Sequence, residues 1–321
     1  MNREFWKNKN ILVTGAGGFK GSHLVEQLAK TDAKIVSLVR DFDPKSYFET
    51  KGLGKKSIVV IGDLKDFRKI ADILSKYEIT TIFHLGAQPI VTTAILNPLE
   101  TLESNIMGTV NVLEASRIYG HLSEIVIVSS DKAYGPTNNI PYKETERLHG
   151  RAPYDVSKSC ADLIAQMYAK VYNLPITISR CANVFGPGDL NMNRIFPGII
   201  EAIIKNKPLQ IRSDGKMIRE YIYVKDSVDA YINLAENIDK TKGQAFNIAS
   251  HNIMSVIEVV KKVSSIIGKP VKVNILNKAK AEIPKQYLDG NKIKDVLNWE
   301  PKTNFEQAVL ETYEWYLENL R

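Results

Sequence analysis

NILVTGAGGFKGSHL, residues 10–24, decides the fold of this 321-residue chain. Its apolar start, residues 11–13, predicts a buried strand, and the amphipathic run 22–29 beyond the glycines predicts a helix. Between them Gly15 permits a tight turn, Gly18 lets the backbone approach a pyrophosphate, and Gly21 lets the helix pack against its strand. The free N–H groups and the positive dipole end of that helix face the phosphates. Three glycines alone describe many loops. A second strand pattern at 34–39 follows within the roughly thirty residues of a βαβ unit, and a dinucleotide becomes the expected ligand.

Further apolar runs at 58–61, 81–85, 125–128 and 176–179 read as buried parallel strands. Helical spacing lies between them at 64–77, 105–119 and 154–172. The pattern is an α/β protein with a doubly wound parallel sheet. After Arg180 it loosens, with a glycine and proline loop at 186–188, a helix at 195–205 and strands near 209–211 and 221–224. A helix at 227–236, a strand at 245–248 and helices at 255–267 and 304–320 complete the chain. We expect a dinucleotide-binding domain from 1–180 and 219–248 and a smaller α/β lobe from 181–218 and 249–321.

Composition narrows the class. No apolar run reaches the roughly 18 residues of a membrane span, and residues 1–9 lack a signal-peptide core, so a cytoplasmic protein is expected. Cys160 and Cys181 have neither metal-site nor redox spacing and read as small hydrophobes; the five histidines are scattered, so no metal is expected. The net charge of +7 suits an acidic partner. Its lysines are spread out without interleaved aromatics, which argues for solvated surface rather than nucleic-acid binding.

Chemistry concentrates at two places. Tyr154 and Lys158, in PYDVSK, stand four apart at a helix start and share one face. A neighbouring ammonium favours phenolate, so Tyr154 is a candidate base for a hydroxyl proton. Upstream, the strand 125–128 runs into Ser129, Ser130, Asp131 and Lys132 at the carboxyl end of the sheet, where such folds place their ligands. At the end of the second strand Arg40 precedes Asp41, which leaves both NAD and NADP open.

With FHLGAQ at 83–88, NIMGTVNVLEA at 105–115, VSSDKAYG at 128–135 and REYIYVKD at 219–226, the chain resembles the extended short-chain dehydrogenase/reductases acting on nucleotide sugars. Within them SSDKAYG, GFKGSHL, RAPYDVSKSCAD and GDLNMNRIFPG resemble CDP-glucose 4,6-dehydratases. Asp131-Lys132 stands where related dehydratases more often carry Asp-Glu and 4-epimerases carry small residues. The resemblance implies a Rossmann domain, an NAD cofactor, a nucleotide-diphosphate sugar substrate and a homodimer formed through 105–119 and 154–172. It implies that Tyr154, with Lys158 and Ser130, removes the C4 hydroxyl proton. Lys132 then takes the C5 proton, or alternatively stabilises the enolate, while Asp131 protonates the departing C6 hydroxyl. It further implies cofactor contacts from Gly15, Gly18, Phe19, Gly21, Arg40, Asp63, Leu64, Leu85 and Ala87, and substrate contacts from Gln88, Asn183, Arg194 and Arg219. A surface ion pair with Glu220 is the plainer expectation for Arg219, and capping of the next helix the plainer one for Asp63. A 4-epimerase shares every part except the need for Asp131 and Lys132. A non-catalytic cofactor-binding regulator leaves Ser130, Tyr154 and Lys158 without purpose.

Overall fold

In the computed structural model, which describes residues 1–278 and 283–319, the opening run forms Asn10–Thr14 (β1), a glycine turn and the helix Phe19–Leu28. The chain continues through Lys34–Val39 (β2), Ile58–Ile61 (β3), Thr81–His84 (β4), Glu124–Ser130 (β5) and Ile176–Cys181 (β6). After Asn183–Phe185 (β7), Leu209–Ile211 (β8) and Ile218–Tyr223 (β9) it returns with Ala245–Ile248 (β10). One seven-stranded sheet results, ordered β10-β6-β5-β4-β1-β2-β3, with every pair parallel. This is the expected doubly wound sheet. Its order reverses between β1 and β4, which opens a crevice at their carboxyl ends.

Alternation along the strands distributes side chains to two cores. Ile11 and Val13 of β1, Phe83 of β4 and Val126 and Val128 of β5 pack with Leu24 and Val25 of Phe19–Leu28 and with Val228 and Ile232 of the helix Val224–Glu236. Leu12, Ile82, Ile125 and Ile127 take the other face. They pack with Ile70 and Leu74 of the helix Phe67–Lys76, Val112 and Leu113 of Gly108–Tyr119, and Ala165 and Tyr168 of Pro153–Tyr172. Burial on both faces is why these strands read as continuous apolar runs.

Helix starts differ from expectation where a side chain intervenes. Phe67–Lys76 begins three residues late because Asp66 caps it, its Oδ1 accepting from Lys69 N at 3.0 Å. Asn105 falls in a π-helical turn, Glu103–Met107, that turns its amide toward the Gln88 backbone. The final helix is Phe305–Asn319, and Leu320, expected to end it, lies outside the described residues.

A smaller set of strands gathers on the other side of the crevice. β9 pairs antiparallel with Ile253–Ser255 (β11) and parallel with β7, and Val273–Ile275 (β12) pairs with β8. Lys285–Gln286 (β13) also adds to β9. We expect 219–248 in the dinucleotide-binding domain; among the described residues β9 pairs with strands of the smaller sheet, and the helix leading back to the large one begins at Val224. Among the described residues no helix is long and apolar enough to cross a membrane.

His84 closes β4 and is buried. Its ring nitrogens meet Thr14 Oγ1 at 2.8 Å and Thr109 Oγ1 at 3.1 Å. Burial first, then the Lys158 charge, pushes its imidazolium down from 6.5 to about 3. The unfolded histidine therefore binds a proton that the folded one refuses, so its contribution is present above pH 6.5 and lost as pH falls toward 3. Urea unfolding between about pH 6 and about pH 4 is expected to lose about 1.4 kcal/mol more per pH unit in the wild type than in His84→Gln. Equal slopes would remove His84 from the acid sensitivity.

Candidate active site

The glycine turn leaves room for a ligand because no side chain fits there. Gly15 has φ +67°, and a Cβ on it would lie 2.7 Å from Gly86 Cα. A Cβ on Gly21 would lie 2.1 Å from Gly15 O. The turn, the end of β2 and the loop after β4 enclose a crevice of about 240 Å³ lined by Gly15, Gly18, Arg40, Asp63, Leu64 and Ala87. Such a cradle of backbone N–H groups at a helix start fits a dinucleotide pyrophosphate. Arg40 is not a lone cation in it: Asp41 lies 2.6 Å and Glu100 3.4 Å from its guanidinium. Asp63 accepts from Lys65 N at 2.8 Å and caps no helix, that role falling to Asp66. Leu85 packs against the core, and Phe19 faces the neighbouring cavity.

That cavity, of about 320 Å³, brings together Ser130, Asp131, Lys132, Tyr154, Asn183, Arg194 and Arg219. β5 delivers Ser130, and the short 3₁₀ turn Asp131–Tyr134 delivers the next two. Pro153 opens the helix whose first turn carries Tyr154. The Ser130 hydroxyl donates to Asp131 Oδ1 at 3.0 Å, and Lys132 Nζ donates to Asp131 Oδ2 at 3.0 Å. Arg194 pairs with Asp189 at 2.9 Å, while Asn183 donates to Glu220 O at 3.1 Å. Glu220 does not pair with Arg219; its carboxylate accepts from the backbone N–H groups of Ser250 and Leu288. Gln88 is not brought to the cavity: its buried amide is spent on Ile90 and Thr101, and its neighbour Pro89 lines the wall instead.

Burial dominates the electrostatics of the Tyr154 and Lys158 pair. Burial pushes the Tyr154 phenol up to about 12, opposed by the Arg194 charge and a hydrogen bond with Ser130. Lys158 is not among the leading contributors. Its own burial, then the Lys20 charge, pushes it down to about 7, and its Nζ donates to Val128 O at 3.1 Å. Helical spacing placed the pair on one face but could not show that the ammonium turns toward the end of β5. Cys181 is buried and its thiol pushed up to about 11 by that burial, the behaviour of a small hydrophobe.

Two functional candidates escaped the sequence reading. Lys20, inside GFKGSHL, lines the cavity, where burial pushes its ammonium down and Asp131 is among the charges drawing it up. A lysine in the first turn after a glycine loop was the available signal. Gln286, on β13, accepts from Lys132 Nζ and donates to Asp131 O at 3.0 Å. No motif marks it. A second cavity, of about 660 Å³, shares Arg194, Ile195, Arg212 and Val256 with the first and extends toward Lys207 and Gln210. Among these, the Tyr154 phenol, the Asp131 carboxylate and the Lys132 amine can move protons beside a cluster of arginines.

Comparison with known proteins places the chain among nucleotide-sugar enzymes. The family model described as GDP-mannose 4,6 dehydratase matches residues 12–312. The chain is similar to the Arabidopsis thaliana trifunctional UDP-glucose 4,6-dehydratase/UDP-4-keto-6-deoxy-D-glucose 3,5-epimerase/UDP-4-keto-L-rhamnose-reductase, 31% identical over 98% of this chain and 48% of that protein. It thus spans about half the length of that relative. The CDP-glucose 4,6-dehydratase of Salmonella typhimurium is 29% identical over 98% of this chain and 92% of its own. Among solved structures, a UDP-glucuronic acid 4-epimerase from Bacillus cereus in complex with UDP-glucuronic acid and NAD superposes with a TM-score of 0.87. It is 25% identical and covers 96% of this chain and 99% of its own.

Proposed function

The chain belongs to the GDP-mannose 4,6-dehydratase family, and from that premise we propose that it is a nucleotide-sugar 4,6-dehydratase using NAD, with CDP-glucose its preferred substrate. The observation that carries the reading is the placement of Asp131 and Lys132 with Ser130 and Tyr154 around one cavity. Oxidising C4 and reducing it on the other face needs no further acid or base; losing water across C5 and C6 needs both. Lysine at 132, where Asp-Glu is the commoner dehydratase signature, supports the CDP-glucose branch, as does the likeness to the Salmonella enzyme.

NAD, when bound, supplies a hydride acceptor at C4 that is restored within each turnover. Gly15, Gly18 and Gly21 would hold its pyrophosphate. Asp41 and Glu100 already meet the Arg40 charge, which favours a ribose 2′-hydroxyl over a 2′-phosphate beside it. Arg194 and Arg219 would hold the sugar diphosphate, with the hexose in the smaller cavity and the base toward Arg212 in the larger.

The chain's own residues then divide the proton work. As phenolate, Tyr154 Oη takes the C4 hydroxyl proton with Ser130 hydrogen-bonded to it. The C4 carbonyl acidifies the C5 hydrogen, which Lys132 Nζ removes. Asp131 gives a proton to the C6 oxygen, the C6–O bond breaks and water leaves. Elimination leaves the pair as ammonium and carboxylate, the arrangement held at 3.0 Å; the borrowed hydride would then return to C6 while the Lys132 ammonium gives a proton back to C5, yielding the 4-keto-6-deoxy sugar. We place this enzyme in the cytoplasm as a homodimer. Met107, Leu163, Met167 and Val171, exposed on segments the family resemblance implicates, would form the covered face.

Incubation with CDP-, UDP-, GDP- and dTDP-glucose and NAD tests the reading. CDP-glucose is expected to lose the mass of one water and yield a 4-keto-6-deoxy sugar. Inversion at C4 with no mass change would make the protein a 4-epimerase, and silence across the panel would overturn the dehydratase reading.

A further inference from the structure

Lys132 is held from outside its own domain. Gln286 is fully buried on β13, which belongs to the smaller sheet. Its Oε1 accepts from Lys132 Nζ while its Nε2 donates to the Asp131 backbone carbonyl at 3.0 Å. Because Lys132 is donor only and the carbonyl acceptor only, the amide has one orientation that satisfies both. β13 is itself fixed: it pairs with β9 in a register that sets Gln286 beside Arg219, and two residues on, Leu288 N donates to Glu220 Oε2 at 2.9 Å. The Asp131 side chain is 4% exposed and that of Lys132 21%, and both line the cavity.

We infer that Gln286 is a positioning residue for removal of the C5 proton, holding Lys132 Nζ at the cavity wall by way of the smaller sheet; the inference rests on the dehydratase reading. An uncharged acceptor suits this task. A second carboxylate beside Asp131 would fix the ammonium in its charged form, whereas an amide orients the amine and leaves its proton transferable. The charged groups facing the pair are Lys20 from Phe19–Leu28, Asp155 from Pro153–Tyr172, Glu220 and Arg219 from β9, and Arg194 across the cavity. With that many charges already fixed around it, the position least able to tolerate another is the one in direct contact with Nζ.

Gln286→Met, which keeps volume and removes the acceptor, and Gln286→Glu, which keeps the acceptor and adds charge, test this on the full-length protein. Gln286→Met is expected to lower kcat roughly 10- to 100-fold, the rate equivalent of a hydrogen bond to a charged group, with KM for the nucleotide sugar little changed. In D₂O its deuterium incorporation at C5 slows in step, while borodeuteride quenching traps a 4-ketohexose nucleotide because C4 oxidation continues. Gln286→Glu is expected to move the acidic limb of the kcat profile to higher pH. If the wild type dehydrates a nucleotide sugar but Gln286→Met keeps its C5 exchange rate, or loses C4 oxidation and C5 exchange alike, the positioning role is wrong and the dehydratase reading stands. If the wild type dehydrates none of the four glucose nucleotides, the reading itself has failed.

Discussion

Tyr154→Phe is expected to lower turnover of a glucose nucleotide by about 10²- to 10⁴-fold, the usual worth of a positioned proton acceptor. The ring stays at the cavity wall and only Oη is lost, so KM and thermal midpoint should move little. No orphan is created beside it: the Ser130 hydroxyl still donates to Asp131 Oδ1 at 3.0 Å and still accepts from Lys132 N at 3.2 Å. The expected size follows from the phenol's environment. Burial pushes it up to about 12 with Arg194 and Ser130 opposing, so near neutrality it is not a standing phenolate. It can take the C4 proton only as phenolate, so its own proton must first leave to solvent through the cavity, and losing Oη moves the barrier onto C4 oxidation. A sugar bearing deuterium at C4 should therefore show a primary isotope effect on kcat in Tyr154→Phe larger than in the wild type. Turnover within a few-fold of wild type, with KM alone altered, would take Tyr154 off the proton path.

What the sequence disclosed and withheld follows from the range of each interaction. The β1 turn was legible because its demands are local, Gly15 having a positive φ and Gly21 having no room for a Cβ beside Gly15 O six residues earlier. The parallel strands were legible because burial on both faces leaves a purely apolar run. Tyr154 and the strand-end Ser130-Asp131-Lys132 were legible as local spacing and as position at the end of β5. By contrast, the π-helical turn at Asn105 answers a backbone partner 17 residues away, and Gln286 answers Lys132 across 154 residues. Neither leaves a local pattern. β9 reads like any buried strand, and only its partners β7, β11 and β13 show which sheet it joins. The direction in which Lys158 turns is likewise a tertiary fact, set by a carbonyl on another element.

Lys132→Ala is expected to abolish the dehydrated product, a loss of at least about 10³-fold, while C4 oxidation survives. The argument is one of proton count. As it stands the pair is an ammonium donating to a carboxylate at 3.0 Å. Dehydration calls for the opposite tautomer, a neutral amine to take the C5 proton and a carboxylic acid to release the C6 oxygen as water. Both states carry the same number of protons, so a shift of one proton along that hydrogen bond prepares the pair; elimination leaves ammonium and carboxylate, and the ammonium, exchanged with solvent, returns a proton to C5 as C6 is reduced, after which the pair regains one proton from solvent. Removing the amine breaks the cycle at C5, and borodeuteride quenching should then trap a 4-ketohexose nucleotide with no solvent deuterium at C5. Asp131→Asn breaks it one step later: C5 exchange with solvent continues and water is not lost. Deleting one partner of a buried pair costs stability, about 3 to 5 kcal/mol when the other charge is left alone, but here Ser130 still donates to Asp131. A thermal melt of each variant therefore accompanies the assay, and the Lys132→Ala/Asp131→Asn double variant, uncharged at both positions, should recover most of any loss in midpoint while remaining unable to dehydrate. If Lys132→Ala incorporates solvent deuterium at C5 as fast as the wild type, Lys132 is not the base. Its charge then serves the enolate, and the proton has another acceptor.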